Sequence, residues 1–184
     1  FNIGRLMEIA QQGGWYDNTI FVMFGDHNTR ISQIPHMPPA FEKLGLESNN
    51  VPMLIHAPKL LEPKVIEQAV GLADLLPTVL GMVGVEFRNG AMGRDIQQPA
   101  PEGERVVPLV LREGTFPLIG GVTKDFLLQM QHDGSQPTLH DLASQTPLTD
   151  VADQHPEEFQ RLEQLTRGLH ETSRLMLYQN VRAD

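Results

Sequence analysis

Residues 19–24, TIFVMF, run straight into Gly25-Asp26-His27-Asn28, and this junction constrains the chain more than any other stretch. The run is apolar, rich in β-formers and free of polar alternation. A strand with one wet face would alternate, so this one reads as an interior strand covered on both faces, the kind that builds parallel sheets. It then stops on a carboxylate, an imidazole and an amide, groups that are costly to bury without partners. In parallel α/β sheets ligands bind beyond the carboxyl ends of the strands. Carboxylate and imidazole are both good ligands for a divalent cation, and Gly25 would let the backbone turn sharply beside them. Two readings stay open on spacing alone. Asp26 and His27 together hold a metal ion, or Asp26 caps the next turn and His27 is a hydrogen-bonded loop residue.

The elements around that junction alternate. In IGRLMEIAQQ, residues 3–12, Ile3, Leu6, Met7 and Ala10 share a face at helical spacing, and Gly13 and Gly14 stop the helix. VPMLIHAP, residues 51–58, reads as a second interior strand, and VIEQAVG, residues 65–71, as a third. ADLLPTVLGMVG, residues 73–84, reads as a helix with Asp74 as its cap, Pro77 in its first turn and Gly84 at its end. After a Gly/Pro-rich loop over residues 89–104, three runs, RVVPLVLREG, FPLIGGVTKD and FLLQMQHDG, read as strands of an antiparallel subsheet. From Pro156 onward Phe159, Leu162, Leu165, Leu169 and Met176 recur at three-to-four spacing, with Glu157 and Glu158 in the first turn where the helix dipole favours acids. This is a long amphipathic C-terminal helix, and the whole is α/β.

Length and composition bound the function. At 184 residues the chain is one domain with a core, or a large piece of a bigger one; it starts at Phe1 rather than Met and is already helical there, which points to a fragment or processed product. A net charge of -9 with no Lys/Arg cluster argues against a nucleic-acid partner. No cysteine is present, so thiolate chemistry and disulfides are excluded. No apolar run approaches the ~20 residues of a membrane span.

Four segments in order, GGWYDNTIFVMFGDHN, NNVPMLIHAP, ADLLPTVLGMVGV and MGRDI, resemble the C-terminal half of the sulfatase-like branch of the alkaline phosphatase superfamily. The nearest look-alikes are phosphoglycerol transferases of the lipoteichoic acid synthase type and their Gram-negative relatives. The tail TLHDLASQTPLTDVADQHPEEFQRL is similar to that family's strand, loop and helix, so the resemblance runs from about residue 1 to about residue 165. It implies part of an alkaline phosphatase-like sandwich: a mostly parallel central sheet, a small antiparallel C-terminal subsheet and the long helix. Residues 1–100 would form the core part that carries the Asp-His motif, and residues 101–184 the subsheet and helix of the same domain.

The resemblance also implies roles, position by position. Asp26 and His27 match the pair that binds the catalytic divalent metal, manganese in the synthase-like enzymes, with calcium and zinc as the alternatives. His36 stands where the family often places a polar substrate contact; it reads equally as an exposed loop histidine. Asp74 matches a structural helix start, Arg94 and Asp95 a structural turn, His56 a satisfied core histidine, and Asp141 a residue that bonds nearby backbone. The family nucleophile, a Thr, Ser or modified Cys, and a further acidic metal ligand lie well upstream of the pair, and only 25 residues precede Asp26 here. Thr29 and Ser32 match no such role, so no catalytic nucleophile is assigned within this chain. The implied activity is that of a metal-dependent phosphoglycerol-type transferase using an upstream Thr, with a sulfatase or phosphodiesterase, or a noncatalytic module, as alternatives. The implied partners are the missing N-terminal half and a phosphate- or sulfate-ester substrate such as a lipid headgroup or glycan. The implied place is the extracytoplasmic side of the bacterial inner membrane, as the periplasmic domain of a membrane-anchored protein.

Overall fold

The computed structural model describes residues 2–28, 37–99 and 105–180. Helix α1, Asn2–Gln12, ends where Gly13 N–H donates to Ile9 O at 2.8 Å and Gly14 takes φ +74°, a conformation that favours glycine. Its apolar stripe buries only Ala10; Ile3, Leu6 and Ile9 remain about half exposed at 54, 42 and 45%. Strand β1, Phe21–Phe24, and strand β2, Met53–His56, form a two-stranded sheet.

That pair corrects one expectation. β1 and β2 are antiparallel, with Phe21 opposite His56 and Phe24 opposite Met53. A parallel return needs a crossover that carries the chain back along the strand. Here the connection contains the short helix α2, Pro39–Lys43, and the chain enters β2 beside the end of β1, where Gly25 N–H donates to Pro52 O at 3.1 Å. The lack of a side chain at Gly25 also serves close approach, since a Cβ would lie 3.0 Å from Val51 Cβ. The run at 65–71 is no strand: it has no neighbour to pair with among the described residues, and Val65 is 87% exposed.

Helix α3, Leu75–Met82, follows a single 3₁₀ turn, Leu72–Asp74, and stops at Gly84, φ +67°. Asp74 is 1% exposed, and its carboxylate makes no bond to the α3 backbone. Instead Oδ2 accepts from Gly71 N–H at 2.8 Å, closing the 3₁₀ turn, while Oδ1 accepts from Arg94 N–H at 2.8 Å and pairs with the Arg105 guanidinium. Gly93 lies so close to this turn that a Cβ would fall 1.8 Å from Ala73 O. Thr78 completes the junction by donating to Asp74 O at 2.6 Å and accepting from Ile96 N–H at 3.1 Å.

The second sheet is a meander of β3, Val107–Arg112, β4, Leu118–Val122, β5, Phe126–Gln131, and β6, Thr138–Asp141, all antiparallel. Helix α4, Pro156–Asn180, covers one face. Leu162 enters a core of Ile119, Leu128, Met130, Leu139 and Val151, and Thr166 sits against Gly121, where a Cβ would be 2.0 Å from its Oγ1. The other face holds a second core, in which Leu127 and Leu142 meet Ala40, Leu44 and Leu46 from α2 and the turn after it. That second core anchors the segment leading into residues 48–52, which in turn borders the end of β1. No described helix is long and apolar enough to cross a membrane.

Candidate metal site

Asp26 and His27 stand one and two residues past Gly25, at the carboxyl end of β1. Their side chains are 84 and 78% exposed, and Asp26 Oδ2 lies 3.8 Å from His27 Nε2. Two donors at that separation can both reach one divalent ion at ~2.0–2.2 Å. Both face one open cavity of about 1750 Å³, which Asn50, His56, Arg94 and Lys64 also line. The backbone shapes the pair locally: His27 N–H donates to Asp26 Oδ1 at 2.9 Å, so Oδ2 is the carboxylate oxygen turned toward the imidazole. The His27 Nδ1 sits 3.3 Å from Asn28 O. A carbonyl has no proton to give, so in this contact Nδ1–H is the donor.

A second histidine shows what a purely structural imidazole looks like in this fold. His140, on β6 and 4% exposed, has both nitrogens spoken for. Its Nδ1 faces Pro147 O at 3.0 Å, and its Nε2 meets Gln129 Nε2 and Thr138 Oγ1, each at 3.0 Å. His56 is bonded through one nitrogen, its Nε2 2.6 Å from Tyr16 Oη, with its ring against Phe21. His27, exposed beside a carboxylate with one nitrogen open to the cavity, is of another kind. The donor set suits a divalent cation but does not complete its shell: among the described residues no group of three or more His, Asp or Glu side chains is placed to hold one.

The other sequence-assigned residues fall as follows. His36, Thr29 and Ser32 lie outside the described residues. Asp74 is buried in the junction with Arg94 and Arg105 and holds structure. Asp95 Oδ1 accepts from Gln97 N–H at 2.9 Å, and Asp141 Oδ1 from Ala143 N–H at 2.8 Å, both local turn bonds. The exposed Arg94 side chain reaches the same cavity as the pair. Sequence reasoning passed over Asn28. Its N–H donates to Ser48 O at 2.8 Å and its Nδ2 to Asn50 O at 3.2 Å, tying the loop after β1 to the segment before β2. The one signal available was an amide directly after the Asp-His pair.

Residues 1–85 match the family model described as Sulfatase. The lipoteichoic acid synthase-like protein YvgJ of Bacillus subtilis is 28% identical over 167 residues, covering 84% of this chain and 25% of that protein. An endo-4-O-sulfatase of Bacteroides thetaiotaomicron is 32% identical over 83 residues, covering 45% of this chain and 16% of that one. The chain thus spans a quarter or less of the length of these relatives. Among solved structures, the lipoteichoic acid synthase LtaP of Listeria monocytogenes superposes with a TM-score of 0.60 at 18% identity, over 93% of this chain and 42% of that one. At that identity the likeness speaks for the fold.

Proposed function

From a sulfatase-like chain, its residues 1–85 matching that family's model, we propose part of a metal-dependent transferase acting on phosphoric esters, of the phosphoglycerol type. The observation that supports it is the pair of donors 3.8 Å apart at the end of β1, both turned to one cavity. Asp26 supplies anionic charge to hold a divalent ion, manganese first and calcium or zinc next, and His27 binds it through Nε2 as neutral imidazole. Such an ion neutralises charge on the nonbridging oxygens of the ester and acidifies a bound hydroxyl. Because His27 must be neutral to bind, occupancy falls as the solution is acidified. The attacking hydroxyl, a Thr, and the further acidic ligand come from another part of the same domain, which also covers the apolar side of α1 and the open faces of β1 and β2. His36 contacts the substrate.

The substrate ester is carried by a lipid headgroup or a headgroup-bearing glycan, and the domain works outside the bacterial inner membrane, tethered by a segment elsewhere in the protein. A sulfatase is the second reading, favoured by the 32% identity to the endo-4-O-sulfatase over 83 residues. The two are separated by giving the protein that carries this chain, at the length of its relatives, a phosphatidylglycerol vesicle or a sulfated disaccharide with Mn²⁺ or Ca²⁺. Release of diacylglycerol that drops to background in Asp26→Ala and His27→Ala is the expected result. Sulfate release with the same sensitivity would favour the second reading, and activity indifferent to both substitutions would reject the metal role.

A further inference from the structure

We propose that Asn28 is a positioning residue for His27: it holds the imidazole in the Nδ1–H tautomer, so that the Nε2 lone pair is presented to the cavity beside Asp26. The purpose assigned to this device rests on the metal reading above, while the device itself rests on hydrogen bonds alone.

Free histidine favours the opposite tautomer, with the proton on Nε2. In that form Nε2 could donate to Asp26 but could not ligate a cation. In this loop Nδ1 faces Asn28 O at 3.3 Å, which requires the proton on Nδ1. That acceptor helps only if residue 28 is held still. Two bonds hold it. Asn28 N–H donates to Ser48 O at 2.8 Å, and the side-chain Nδ2 donates to Asn50 O at 3.2 Å. The acceptors are themselves anchored. Asn49 N–H and Asn50 N–H both donate to Leu46 O at 3.0 Å, and Leu46 is 2% exposed in the core against Leu127 and Leu142. A continuous path therefore runs from the packed face of the second sheet to one ring nitrogen. An orienting hydrogen bond on the remote nitrogen is what a ligating histidine needs to fix its tautomer. The side chain at 28 must donate to a carbonyl, so an amide serves where aspartate or alanine cannot.

The test uses the whole chain, labelled with ¹⁵N-histidine, with chelator present and above the pH range where imidazole protonates. Long-range ¹H–¹⁵N correlation reads the tautomer of each ring. Wild type is expected to show His27 mainly as Nδ1–H. In Asn28→Ala and Asn28→Asp the Nδ1–H to Nε2–H ratio should fall about fivefold, the population equivalent of one ordinary hydrogen bond. His140, whose Nδ1 is bound to Pro147 O in the core, is the internal reference and must not change. Wild-type His27 found as Nε2–H, or a ratio unmoved by either variant with His140 intact, overturns the proposal; if one variant disturbs His140, the wild-type spectrum and the other variant still decide. Mn²⁺ titration of a chelator-free wild-type sample separates the two levels. Absent broadening at His27 would count against the metal reading and leave the tautomer result standing. An unmoved tautomer would remove Asn28's role and leave the metal reading untouched.

Discussion

Single residues at the junction before α3 carry more than their size suggests. Gly93 has no side chain because Ala73 O occupies the place of its Cβ, 1.8 Å away, and a backbone oxygen in a hydrogen-bonded turn has nowhere to move. Gly93→Ala is expected to destabilise the chain by about 3 kcal/mol, the upper range for overpacking, read from urea unfolding; a loss under about 1 kcal/mol would show that the turn yields. Asp74 beside it serves three partners: the Gly71 and Arg94 backbone amides and the Arg105 guanidinium, in a nearly dry site. Removing the carboxylate strands a buried cation and two amides, whereas removing the cation leaves a carboxylate with two donors. Asp74→Ala should therefore cost about 3–5 kcal/mol and Arg105→Met distinctly less. The reverse order in matched unfolding curves would mean that Arg105, not Asp74, organises the junction. The sequence named Asp74 as a helix cap. It did not show the direction of its bonds, which run back to the 3₁₀ turn and across to the 93–95 loop.

At the scale of elements, the stretch 65–71 reaches the turn after β4 through Glu67 and Lys124, 2.9 Å apart. The Lys124 hydrogen bond, and then its charge, hold the Glu67 carboxyl below its ordinary value. A carboxyl lowered by folding stabilises the fold above its unfolded pKa, and that contribution is lost as pH falls through the folded value. In Lys124→Ala the Glu67 titration, followed by NMR at the side-chain carbon, should move up to the ordinary carboxylate range; a midpoint that stays low would mean that another group sets it. The elements themselves were legible to differing degrees. α4 could be read because Phe159 and Leu162 keep the stripe that packs on the sheet, although Leu165, expected on that stripe, is 39% exposed and the buried Thr166 faces the sheet beside it. β1 and β2 were readable as strands, but an apolar run carries no direction, so their antiparallel pairing was not. Residues 65–71 have strand composition and no partner, and composition cannot supply one. In the site, the Asp26–His27 pair stands out because its chemistry clashes with the run before it. The tie through Asn28 does not stand out, since its acceptors, Ser48 O and Asn50 O, are 20 and 22 residues further on and are backbone atoms of no special type.

Across the whole molecule the two sheets differ in completeness. The meander is covered on both faces, by α4 and by the α2 turn; Leu127, Leu128, Met130 and Leu139 are fully buried, while Val110 on the β3 edge stays 57% exposed. The β1–β2 sheet, though built from residues of interior type, leaves Phe24 50% and Leu54 55% exposed, and α1 turns Ile3, Leu6 and Ile9 outward. A two-stranded sheet is marginal in water without further packing, and large apolar surface on a soluble chain marks a place where something else packs. The proposed occupant is the rest of the same domain, whose acidic ligand and nucleophile would complete the cavity at Asp26 and His27. The chain alone is accordingly expected to show no appreciable esterase or transferase turnover, to bind a hydrophobic dye, and to self-associate at tens of micromolar. Its net charge of -9 slows that association and salt should promote it. Supplying the remainder of the domain as a separate chain should give a one-to-one complex, suppress dye binding, and protect the amides of α1 and β2 in hydrogen exchange while those of β4 and β5, already sealed, change little. Leu6→Glu together with Leu54→Glu should abolish the complex without unfolding the meander. A chain that stays monomeric, excludes the dye and hydrolyses esters on its own would overturn this division and return the search for a nucleophile to residues within the chain.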